Sequence, residues 1–151
     1  MPHRRKQSGG HVLVSHTAKQ FRRLLDMVYI GNWVLNSARG GDRIRVYDQV
    51  ESLLFSQCLL HDMPDLVDVV RGIAVPSRAF NEGGIHEAIM AYEDTVFYEI
   101  LAEELARRDM ELEGIAAETP EGMVDLNRRI DAYLDEFEAH GTDNLTVEGV
   151  E

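Results

Sequence analysis

The side chains best equipped for chemistry are few and scattered. Cys58 is the only cysteine, so neither a disulfide within the chain nor a cysteine-rich zinc site can form. It sits in the apolar run LLFSQCLL, a setting for a small core residue rather than a nucleophile. His86, Glu93 and Glu104 belong to one long helical pattern, Ile85 to Glu113. They fall near the seam between two apolar stripes, where a carboxylate either edges onto water or enters a buried polar site. Glu82 and His86 are four apart, whereas the E-x-x-H motif of di-metal bundles needs a spacing of three. There is no G-x-x-x-x-G-K-[ST] phosphate loop, no G-x-S-x-G elbow and no H-E-x-x-H. With no catalytic constellation, the expectation leans towards a protein that is not an enzyme, without catalytic residues, metal or cofactor.

A different reading attaches to the run LLFSQCLLHDMPD. It resembles the apolar helix ending in His-Asp that carries the metal site of HD-domain phosphohydrolases. The resemblance implies an all-helical fold with metal ligands at His61 and Asp62. It also implies a later ligand at Asp94, an accessory ligand at His86, and His16 as the upstream histidine. A divalent ion held there would lower the pKa of a bound water. Arg71 and Arg78 would be the nearest cations for a phosphate ester. Without the resemblance, His61 reads as a residue near a helix C-terminus, where it suits the terminal carbonyls.

Composition bounds the rest. A chain of 151 residues with 44% hydrophobic and 28% charged residues fits one globular domain. No apolar run approaches the ~18–20 residues of a membrane span. The basic start MPHRRKQSGG is followed by only a few apolar residues, too short for a signal peptide. The expected setting is the cytoplasm, which the lone cysteine fits. The net charge of −12 is uneven: residues 1–25 carry six basic side chains and no acid, while residues 111–151 carry twelve acids against Arg128 and Arg129. Nucleic acid is not the expected partner, because the field of the acidic body repels phosphates.

These residues need elements to position them. The patterning predicts an all-α fold: a single domain of four to five helices in a bundle-like array around a long central helix. Residues 1–14 are expected as a flexible basic arm, 15–141 as the helical domain and 142–151 as a disordered acidic tail. Ser15 or Thr17 can cap a first helix from about His16 to Ala38, with Phe21, Leu24, Leu25, Val28 and Leu35 on its core stripe. Gly31 and Asn32 weaken its middle, and Gly31 suggests a close helix crossing. A second helix spans about Arg45 to His61, with Val46, Val50, Leu53, Leu54 and Leu60 as core and Tyr47 at the exposed edge. Pro64 opens a short helix, Asp65 to Val70. Short extended pieces at Val12–Val14 and Ile73–Val75 would be peripheral.

Gly83-Gly84 forms a hinge before the central helix. One stripe of that helix holds Ile85, Ala88, Ile89, Tyr92, Val96 and Ile100, and the other holds Met90, Phe97, Leu101, Leu105 and Leu112. Two stripes call for neighbours on two sides. Thr119-Pro120-Glu121 is a helix start. Met123, Leu126, Ile130, Tyr133 and Phe137 then recur in steps of three and four, as in a coiled-coil seam.

The functional expectation is a small, acidic protein–protein interaction or regulatory module whose partner is another protein or a second copy. The HD-domain-like phosphohydrolase is one alternative. The other is an acidic inhibitor that mimics nucleic acid towards a basic partner.

Overall fold

The computed structural model describes Gly10, residues 12–147 and Gly149. Arg4, Arg5 and Lys6 of the expected basic arm, and Glu148 and Glu151 of the acidic tail, lie outside the described residues. The described residues are mostly α-helical with one small two-stranded sheet. Where the patterning predicts one helical domain over 15–141, contacts within the chain group into two compact units that divide after His86.

The first unit opens with helix α1, Ala18–Asn36. Thr17 is its cap, and the cap is reciprocal. The Thr17 hydroxyl accepts from the Gln20 N–H at 3.2 Å, while Thr17 N–H donates to the Gln20 side chain at 2.9 Å. Phe21, Leu25, Asn32 and Asn36 are the buried residues of α1, one stripe at helical spacing. Helix α2, Arg45–Ser56, follows a short turn. Bonds from Asn36 to Ile44 and from Asn32 to Asp48 and Glu51 step in opposite directions along the two helices, so these run antiparallel. Gly31 has nothing within 4 Å of the place its Cβ would take, so the close crossing expected there is not present among the described residues.

α2 ends in a 3-10 turn, Gln57–Leu60. A second 3-10 turn, Pro64–Leu66, leads into strand β1, Val67–Val70, which pairs antiparallel with β2, Ile73–Pro76. This corrects the helix expected over Asp65–Val70. Val67, Val69 and Val70 favour a strand, and Arg71 and Gly72 both take positive φ (52° and 80°), the geometry that closes a two-residue hairpin. Ile73–Val75 is extended as expected, whereas Val12–Val14 is not a strand. Ser77 then caps the short helix α3, Arg78–Phe80, accepting from Phe80 N–H at 3.1 Å. Phe80 is fully buried against the rings of Phe55 and Tyr29, at 4.9 and 5.3 Å. The hinge glycines interrupt the helical backbone within the π-type turn Asn81–Ile85, with Gly84 at φ 94°, a conformation that favours glycine.

Helix α4, His86–Glu113, starts at the last residue of the first unit. In the second unit it pairs with α5, Pro120–His140, which Thr119 caps. Ala102, Leu105 and Phe137 form one core cluster, and Ala106, Met110 and Leu126 another, with Ile130 and Tyr133 packed against both. The predicted α5 seam is thus spent inside the unit, except Met123, which is exposed. α4 departs from its two predicted stripes. Its buried residues are Ile89, Ala102, Leu105, Ala106 and Met110, while Met90, Tyr92, Phe97, Ile100 and Leu112 are exposed. The alanines at 102 and 106 present little bulk on the face where α5 packs, and a count of large apolar residues overlooks them.

Arg129 ties the α5 side of this hairpin to the end of α4. It forks onto both Glu113 oxygens at 2.9 and 2.6 Å and reaches Asp125 at 2.8 Å. Tyr133 donates to Asp109. The start of the expected tail is also held, with Asn144 donating to Glu136 at 2.6 Å.

Candidate functional site

The organising feature of the first unit is polar. Asn36, 1% exposed, brackets the backbone of Ile44: Ile44 N–H donates to its Oδ1 at 2.8 Å, and its Nδ2 donates to the Ile44 carbonyl at 3.2 Å. The same Nδ2 donates to Asn32 Oδ1 at 2.7 Å. Asn32 Nδ2 in turn donates to Asp48 Oδ1 and Glu51 Oε2, each at 3.1 Å. Two buried amides satisfy each other, a loop backbone and two carboxylates, which is what burying them requires.

The carboxylates respond differently to this position. Hydrogen bonds from Arg43 hold Asp48 below the ordinary aspartate range. Glu51 has no guanidinium at bonding distance among the described residues, and burial pushes its carboxyl up. Burial likewise raises the Tyr29 phenol. Tyr29 and His86 Nε2 lie 2.9 Å apart, and the His86 ring meets those of Tyr29 and Trp33 edge-on at 5.6 and 5.1 Å. A pocket of about 220 Å³ opens here, lined by Tyr29, Asn32, Trp33, Asn36, Arg43 and Glu51 among others. Its asparagines are already satisfied, so the network reads as architecture that fixes the α1–α2 turn.

The network has a consequence for the opposite side of α2. At 100° per residue, Asp48, Glu51 and Phe55 share one face, while Val46, Val50 and Leu53 lie about half a turn away. Asp48 and Glu51 therefore share the inner face with the buried Phe55, while Val46, Val50 and Leu53 take the outer one. Val46 is 55% exposed, Val50 44% and Leu53 62%, and Leu60 beyond the helix is 73% exposed. These four were expected in the core. The inner positions of α2 went instead to Asp48, Glu51 and Phe55, because Asn32 on α1, in phase with Phe21 and Leu25, needs acceptors there. Met27 and Val34 are similarly exposed on α1.

The HD-like residues separate into different places. His61 and Asp62 form the turn after α2, with Asp62 at φ 54°. His16, Phe21, His61 and Asp62 share the lining of a pocket of about 230 Å³, and both imidazoles pack against the Phe21 ring, at 5.3 and 5.5 Å. His86 sits instead against Tyr29 and Trp33, and Asp94 is an exposed residue of the second unit. Among the described residues, no group of three or more His, Cys, Asp and Glu side chains is placed to hold a metal ion. Arg78 pairs with Glu82 at 2.6 Å, and Arg71 occupies the hairpin turn. Glu93 and Glu104 are exposed on α4, roughly 10 and 27 Å along the helix from His86. Cys58 is fully buried, and burial raises its thiol.

No protein-family model, curated protein or solved structure matches the chain. No described helix is long and apolar enough to cross a membrane. Sequence reasoning passed over Asn32 and Asn36. The available signal was their phase, each eleven residues on from Phe21 and Leu25 respectively, on a stripe otherwise assigned to the core.

Proposed function

We propose that this protein is a non-enzymatic protein–protein interaction module of the cytoplasm, and that the outer face of α2 is its binding surface. The observation that carries the reading is the inverted α2, with Asp48 and Glu51 turned towards Asn32 while Val46, Val50 and Leu53 face outward. Helix faces of this kind bury their apolar stripe when a partner helix or groove covers it. The cytoplasmic setting rests on the single buried cysteine.

A photo-crosslinking residue placed at Gln49 or Gln57, beside the apolar stripe, tests the reading in the full chain. The expected result is a discrete protein adduct at these positions, lost when Val50→Asp and Leu53→Asp are introduced together. Adducts confined to positions outside α2, or none at all, would count against the surface.

A further inference from the structure

We infer that the pocket at the α1–α2 turn binds an organic ammonium group, with Glu51 as its counter-charge and Tyr29 and Trp33 as its aromatic wall. The inference goes beyond the outer surface of α2 and does not rest on it, because Glu51 turns inward, about half a turn from Val46, Val50 and Leu53.

The charges on the pocket wall single out Glu51. Asn32 and Asn36 are taken up by each other, by the Ile44 backbone and by the two α2 carboxylates. Arg43 is taken up by Asp48, forking onto both of its oxygens at 2.8 and 2.6 Å. Glu51 accepts only from a neutral amide, Asn32 Nδ2 at 3.1 Å, and among the described residues no cation lies at ion-pair distance from it. Its pKa is raised by burial, as for a carboxylate whose charge the folded chain leaves uncompensated. A buried charge is costly unless it is paired, and at a cavity wall a ligand can supply the pair. An anion would meet Glu51 while the one guanidinium on the wall is occupied.

The rest of the wall is aromatic. Tyr29 and Trp33 stand one turn apart on α1, with ring centroids 6.3 Å apart and planes tilted by 33°. His86 meets both rings edge-on, and its Nε2 lies 2.9 Å from the Tyr29 hydroxyl. The rings are thus held in place by their own neighbours. A carboxylate beside aromatic rings suits an ammonium, since the π-system attracts organic cations, alkylated ones included. Size narrows the ligand further. The pocket holds about 220 Å³, below the roughly 300–1,000 Å³ of sites for whole drug-sized ligands. It takes a head group, the end of a free amine or of a lysine side chain.

Trp33 is the only tryptophan of the chain, so its fluorescence in the full-length protein reports on the site. The probes are n-butylammonium and Nα-acetyl-lysine N-methylamide, titrated at constant ionic strength, with n-butanol as the neutral analogue. A saturable change is expected with at least one ammonium probe and none with n-butanol. Glu51→Gln should weaken binding by about tenfold or more, with circular dichroism showing the helices retained. Tighter binding of the lysine derivative assigns the site to a lysine side chain, and equal or tighter binding of n-butylammonium assigns it to a free amine. Both support the ammonium site. No saturable response to either cation, an equal response to n-butanol, or undiminished binding by Glu51→Gln would overturn the inference.

Discussion

Asn36 grips the backbone of Ile44 from both sides, accepting from its N–H at 2.8 Å and donating to its carbonyl at 3.2 Å. One side chain thereby reproduces a strand-like pair of bonds at the entrance to α2. It fixes where α2 begins and which of its faces turns towards α1. Through Asn32 the same network reaches Asp48 and Glu51.

Asn36→Leu is expected to leave the Ile44 amide and carbonyl without these partners in a closed site. A loss of roughly 2–4 kcal/mol of unfolding free energy is expected, measured by urea denaturation. A loss below about 0.5 kcal/mol would show that water replaces the amide at no cost, and that the bracket does not set the turn.

Glu51→Gln should stabilise the chain at neutral pH. Burial raises the folded-state pKa of Glu51, so its charged form is penalised in the folded state, and the penalty grows as pH rises through that raised value. It is absent below the unfolded glutamate pKa, where the group is protonated in both states. Thermal midpoints measured against pH should show the variant ahead of wild type at neutral pH and level with it in acid. A variant less stable than wild type at neutral pH would mean that the carboxylate charge is needed.

Gly122→Ala reverses the usual sign of a helical Gly-to-Ala change, which gains up to ~1 kcal/mol. A Cβ at this position would stand 1.9 Å from the Ala116 carbonyl oxygen, which is backbone and cannot swing away. The connector before α5 must shift, and a cost of about 1–3 kcal/mol is expected from chemical denaturation. An unchanged or raised midpoint would show that the connector yields freely.

Tyr133→Phe deletes the hydroxyl that donates to Asp109. At neutral pH the loss should be roughly 1–2 kcal/mol. The Tyr133 bond, followed by the one from Arg108, lowers the folded-state pKa of Asp109. The stabilisation is therefore present above the ordinary aspartate pKa and lost as pH falls through the lowered folded value. The gap between wild type and variant should narrow accordingly in acid. A gap independent of pH would show that the carboxylate charge plays no part.

The helix ends were legible because local chemistry writes them. Thr17 and Thr119 are caps in the structure as in the sequence, and Gly83-Gly84 breaks the helix where expected. The α5 seam was legible because its partner is the neighbouring helix. The orientation of α2 was not. Periodicity names an apolar face but not what covers it, and Val46, Val50 and Leu53 look the same whether they face a core or a partner. The counter-signal was two asparagines in phase with Phe21 and Leu25, which demand polar company from the facing helix. β1 was missed because Pro64-Asp65 reads as a helix start, while the strand is set later by the hairpin turn at Arg71-Gly72.

On the proposed reading, the outward-facing apolar stripe of α2 serves a partner rather than the core of its own chain. The most direct test is the unfolding free energy of the Val50→Asp/Leu53→Asp chain in dilute solution, where self-association contributes little. A value within about 0.5 kcal/mol per site of wild type is expected, with helicity retained. A chain that unfolds, or loses several kcal/mol, would show that these residues are core and contradict the account.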